Sequence, residues 1–195
     1  MRQRSASVVV AVLLLVGLFW VSAGCGGGGG GGPTAPPPPT QPPMGVTFTA
    51  DAPASANSVY LVAGSGGSPG RFVLDVEVQN VTDLYGVGFV LEYPAALLKF
   101  EKNGTTEGTF LSDNGAFDTD LVAKARTAGE VTVGISRLGL VPGADGSGTL
   151  LSLEFTTRAN GSDALVFAEN DALDSLGEVQ EDVTWIGGSA TVRVN

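Results

Sequence analysis

The feature that most constrains this chain is an alternation of side chains with a period of two. Phe72, Leu74, Val76 and Val78 alternate with Val73, Asp75, Glu77 and Gln79. That period sends successive side chains to opposite faces of a strand, so one face is buried and the other is wet. The pattern returns at residues 87–93, where Val87, Phe89, Leu91 and Tyr93 share a face, and at 131–136, 151–156 and 190–194. Shorter candidates lie at 46–49, 58–62, 97–101, 121–126 and 164–168. Turn-forming residues separate them: the glycine-rich segment 64–70, Asn103-Gly104, Ala128-Gly129, Pro142-Gly143, Asn160-Gly161 and Gly187-Gly188. About nine or ten short strands without a long amphipathic helix predict an all-β sandwich. Residues 121–126 have helical propensity but are short and lead through a glycine turn into a clear strand, so they too are read as strand. One helical turn is predicted within 172–182.

Composition removes several kinds of chemistry. The chain has no histidine, which excludes Ser–His–Asp and Cys–His catalysis and every His-ligated metal site. A single cysteine, Cys25, excludes an internal disulfide. The net charge of −10 argues against nucleic acid, whose phosphates need a basic surface. No cofactor is expected, and the chain is read as non-enzymatic.

The N-terminal part reads as an address. Arg2 and Arg4 precede an apolar run at 8–21, too short for a membrane-spanning helix, which needs about 20 residues. The run ends in Val21-Ser22-Ala23-Gly24-Cys25. This resembles the lipobox of bacterial lipoproteins, although Ser22 stands where Leu or Val is usual. The resemblance implies that residues 1–25 form a signal ending at a lipidated Cys25. Gly26 after the cysteine, in place of Asp, implies the outer membrane or cell surface, with membrane attachment only through the lipid. Residues 26–43 hold seven consecutive glycines and then seven prolines in eleven residues. Such a segment is a tether, a flexible part of about 15 Å and a stiff part of about 34 Å. The remaining segment, 44–195, keeps all 20 acidic and eight of the ten basic residues, a net charge of −12.

The order of motifs in that segment resembles a cohesin domain. The matching stretches are GRFVLDVEVQNV at 70–81, LYGVGFVLEYP at 84–94, LLKF at 97–100, GTFL at 108–111, GTLLSLEF at 148–155 and LVF at 165–167 with 170–177. One departure is Tyr93-Pro94, between which an acidic residue usually stands. The resemblance implies a nine-stranded jelly roll that docks a dockerin-bearing protein, one that works on polysaccharide. Direct binding of polysaccharide, or a structural or adhesive role, are the alternatives.

The resemblance also points to a binding sheet. Its outward residues would be Gly88, Val90 and Glu92; Lys124 and Arg126; Thr132, Gly134 and Ser136; and Ser152, Glu154 and Thr156. Such a face is small and polar, with Val90 as the one exposed apolar residue, in keeping with an interface that has a polar rim and a modest apolar centre. For direct sugar binding, only Tyr60, Tyr85 and Trp185 are candidate surface rings; Phe72, Phe89, Tyr93, Phe100, Phe155 and Phe167 fall on inward positions. Acidic residues gather at 113–120 and 171–182, oxygen donors of the kind Ca²⁺ takes. Asp-rich loops more often serve as soluble turns, and no metal site is assigned.

Overall fold

The computed structural model describes residues 45–194. The signal, the tether and Cys25 lie outside them. The described residues form strands β1 (Gly45–Ala50), β2 (Ser58–Ala63), β3 (Arg71–Glu92), β4 (Leu98–Glu107), β5 (Thr119–Ala125), β6 (Glu130–Arg137), β7 (Ala144–Thr157), β8 (Gly161–Asp174), β9 (Thr184–Ile186) and β10 (Gly188–Arg193). No helix occurs among them.

β3 organises the sandwich. Its first half pairs with β2 and β7, and its second half with β6 and β8. One layer therefore runs β9–β2–β3–β7–β4, and the other β5–β6–β3–β8–β10–β1. The alternating residues fill the space between. Leu61, Leu74, Val76, Leu151, Leu153 and Phe155 come from the first layer; Val87, Phe89, Leu91, Val131, Val133, Ile135 and Leu165 come from the second, and all belong to one buried cluster. Full burial of side chains of this size contributes about 1.5–3 kcal/mol each.

The strand crosses between layers at residues 80–84. Asn80 and Asp83 hold positive φ, 47° and 51°, and the β3–β7 register shifts on either side of Val81. Asn and Asp tolerate this region better than other side chains. The Asp83 carboxylate accepts hydrogen bonds from Gly143 N at 2.9 Å and Ser175 Oγ at 2.8 Å, so it ties together the loops that follow β6 and β8. Its own N–H donates to Asp145 Oδ1 at 2.7 Å. The Ser175 hydroxyl, and then the Gly143 amide, hold the Asp83 carboxyl below its ordinary value of 3.8.

At the end of β6, Arg137 turns inward and is only 4% exposed. Its Nε donates to Leu111 O and its Nη1 to Pro142 O, both at 2.6 Å, and its guanidinium lies 4.1 Å from the centre of the Phe117 ring. It thereby fastens the loop between β4 and β5 to the turn after β6.

Residues 121–126 extend as strand, within and just beyond β5. The helical turn expected within 172–182 is absent. β8 runs on to Asp174, whose carboxylate accepts from Leu176 N at 2.9 Å and Glu178 N at 2.8 Å, closing a tight turn with Gly177 at φ 80°. A side chain that satisfies the local amides in this way competes with a helix.

Candidate binding face

The second layer presents its outer face through β5, β6, β3 and β8. The register sets the outward residues in rows across the strands. Asp120, Ser136, Gly86 and Leu173 form the first row, and Val122, Gly134, Gly88 and Asp171 the second. Lys124, Thr132, Val90 and Ala168 form the third; Arg126, Glu130, Glu92 and Val166 form the fourth. Five carboxylates, counting Glu169 at the edge, stand against two cations. A partner with a basic contact surface complements that balance.

The face rests on a rigid underside. Phe89 of β3 meets Phe167 of β8 edge-on at 5.0 Å between ring centres, and Trp185 of β9 packs 5.1 Å from Phe167 and 5.9 Å from Phe89. Trp185 is therefore committed to the core and does not offer a surface ring to a sugar. Of the other two candidates, the Tyr60 hydroxyl donates to Glu77 Oε2 at 2.7 Å and the Tyr85 hydroxyl to Gly139 O at 2.6 Å.

At the centre of the face lies a shallow depression of about 360 Å³. Gly88 and Gly134, paired across β3 and β6, lie along it, and Val122 and Leu173 line its sides with Asp120 and Asp171. Neither glycine has a left-handed φ, and a Cβ added to either would meet no atom within 4 Å. The fold itself does not require glycine at these positions. Gly86 differs: a Cβ there would stand 2.8 Å from Ser136 Cβ and 3.0 Å from Ile135 O.

The large hydrophobic residues exposed among the described residues gather on this face or at one end of it. Val122 and Val166 lie on the face, while Leu138 and Leu140 follow β6, and Leu176 and Val179 follow β8. The two loops meet beside Tyr85 and Asp83, which bond to both.

Two expectations from the sequence need correction. Ser152 and Glu154 do not belong to this face. They lie on β7, which pairs with the first half of β3 in the other layer. There Ser152 Oγ donates to Asp75 Oδ1 at 2.6 Å, and Glu154 forms an ion pair with Arg71. Thr156, on the same strand, donates to Glu101 Oε1. Val90 points outward, away from the main core, but it is 4% exposed and is not an open apolar centre. The open apolar residues of the face are Val122 and Val166, 40% and 44% exposed. Gly88, Glu92, Lys124, Arg126, Thr132, Gly134 and Ser136 all lie on the one face.

The alternation did not reveal β8's contribution, Val166, Ala168, Asp171 and Leu173. A register shift around Glu169 and Asn170 breaks the period there. Among the described residues, no three Asp or Glu side chains of the acidic loops come together in one cluster.

No family model and no curated protein matches the chain. Solved structures do resemble it. The second type II cohesin module of the adaptor scaffoldin of Acetivibrio cellulolyticus matches with a TM-score of 0.59 and 14% identity, over 72% of this chain and 93% of that one. A type II cohesin–X-dockerin complex from the same organism matches with a TM-score of 0.57 and 12% identity, over 66% and 93%. A non-cellulosomal cohesin from the archaeon Archaeoglobus fulgidus matches with a TM-score of 0.52 and 18% identity, over 69% and 89%. The domain has the cohesin fold.

Proposed function

We propose that this domain is a non-catalytic binding module whose β5–β6–β3–β8 face docks a dockerin-bearing protein. The observation that carries the reading is the pair Gly88 and Gly134. They keep the middle of a sheet face open where the fold has room for side chains, and Val122 and Leu173 line the opening beside Asp120 and Asp171. A fold shared with cohesin modules, one of them solved in complex with a dockerin, supports the choice of partner. Such a partner works on polysaccharide in this reading, and the module holds it at the cell surface. In this reading Cys25 carries the lipid and residues 26–43 serve as the tether between lipid and domain.

The test is calorimetric titration of the protein with dockerin-bearing proteins encoded by the same genome, beside sedimentation with insoluble polysaccharides. Saturable binding of a dockerin, lost when Gly88 is replaced by Leu, is the expected result. Binding of polysaccharide without any dockerin would overturn the reading in favour of direct carbohydrate recognition.

A further inference from the structure

Glu169 departs from the regular path of β8. Its backbone is left-handed, at φ 47°, and Glu169 and Asn170 together oppose the single residue Phe89 of β3. A bulge of this kind re-aims a side chain, and a long non-glycine residue at positive φ costs the fold some strain. The contact this backbone permits is with Arg126, whose Nη1 donates to Glu169 Oε2 at 2.8 Å. Arg126 follows β5. Its backbone N–H donates to Glu130 O at 3.0 Å, and its Nε stands 3.9 Å from the Glu130 carboxylate.

The two partners come from opposite sides of the face. β6 and β3 lie between β5 and β8, so three strand spacings, about 14 Å, separate their backbones. An ion pair that closes this distance passes over the middle strands. Val90 sits there, between the short side chains of Thr132 and Ala168 and next but one to Gly88. Those neighbours would leave a valine partly open to water, yet Val90 is 4% exposed.

We propose that Arg126 and Glu169 form an ionic strap across the face that covers Val90 in the free domain and has to open before a partner can reach it. The role in binding rests on the docking function assigned to this face, but the strap itself does not. Both side chains are about half exposed or more, so the closed state is favoured only a few-fold over the open one. Salt weakens such a pair.

The experiment needs no partner. The full chain carrying Cys25→Ser and Val90→Cys has one thiol, and neutral N-ethylmaleimide reports its accessibility. The labelling rate is followed from pH 7 to 10, and its limiting value separates access from thiol acidity. Glu169→Gln should raise the limiting rate two- to fivefold. Glu169→Asn should do the same, since Asn tolerates the left-handed backbone but cannot form the ion pair. Salt at 1 M should raise the rate in the parent and leave the Gln variant unchanged. Val122→Cys on the same face should respond to neither change, and Ala168→Cys replaces Val90→Cys as the probe if the latter does not fold. Unchanged rates on Glu169→Gln and in salt, or a rise on Lys124→Ala without one on Glu169→Gln, would overturn the strap. If labelling responds but no dockerin binds, the strap stands and the docking function falls; if a dockerin binds and labelling does not respond, only the strap falls.

Discussion

Replacing both Gly88 and Gly134 with alanine should stabilise the domain while weakening its binding. Glycine in a strand interior costs about 0.5–1 kcal/mol relative to alanine, because it loses more backbone freedom on folding. Neither position needs a left-handed backbone, and neither added methyl group would meet an atom within 4 Å. Nothing in the free domain offsets the entropic gain, which amounts to about 1–2 kcal/mol for the pair. The two residues are direct cross-strand partners, so their effects need not add fully. At about 2–4 °C per kcal/mol for a domain of this size, the melting temperature should rise by about 2–6 °C. Gly86→Ala is the control of opposite sign. Its methyl would crowd Ser136 and Ile135 and should cost about 1–3 kcal/mol. In the docking proposed for this face, the same two methyl groups would occupy the space that a partner fills. Overpacking of about 1–3 kcal/mol there lowers affinity about five- to 150-fold. Scanning calorimetry on the three proteins and titration calorimetry with a dockerin bound by the parent would measure both sides. A fall in melting temperature for the double variant would make the glycines structural. A rise with unchanged affinity would mean that no partner enters the depression.

Three further outcomes are expected. Arg137→Ala leaves the carbonyls of Leu111 and Pro142 without their donor and uncovers Phe117, and should cost about 2–4 kcal/mol in urea unfolding. Asp83 has a carboxyl pKa lowered in the fold, so its contribution is present above the ordinary value of 3.8 and is lost as pH falls through the lower folded value; Asp83→Asn should flatten the acid limb of melting temperature against pH, and an unaltered limb would show that the clasp carries no pH dependence. Cys25→Ser should move the protein from membranes to the soluble fraction, as followed by fractionation and immunoblotting, and membrane retention equal to the parent's would refute lipid anchoring.

How much of this was legible depended on where a period of two survives. The inner residues of β3, β6 and β7 could be read because one face of each strand is continuously buried, and a one-residue slip would expose the whole set. β9 has three residues, too few to establish a period. The period lapses between Val78 and Val87, so alternation alone gives two strands where the structure has one, with Asn80 and Asp83 at the join. They do turn the chain, but the ladder to β7 continues past them through Val81 and Leu84. Alternation says which residues share a face and not which strands share a layer. The grouping of Ser152 and Glu154 with Gly88 rests on the resemblance alone, and β7 lies in the other layer.

The same period lets one strand hold the core on one side and present the proposed docking face on the other. Phe89 locks the inner side of β3 to Phe167 and Trp185, while its neighbours Gly88 and Val90 face the opposite way. Selection on the outer face can then change depth, charge or cover without disturbing the core beneath it. Several departures from regularity fall on the outer side: two glycines that the fold does not need, a glutamate held at positive φ, and an arginine that reaches across two strands to meet it. An ordinary solvated sheet face gains nothing from any of these. Departures that gather on one face in this way support the docking proposed for it.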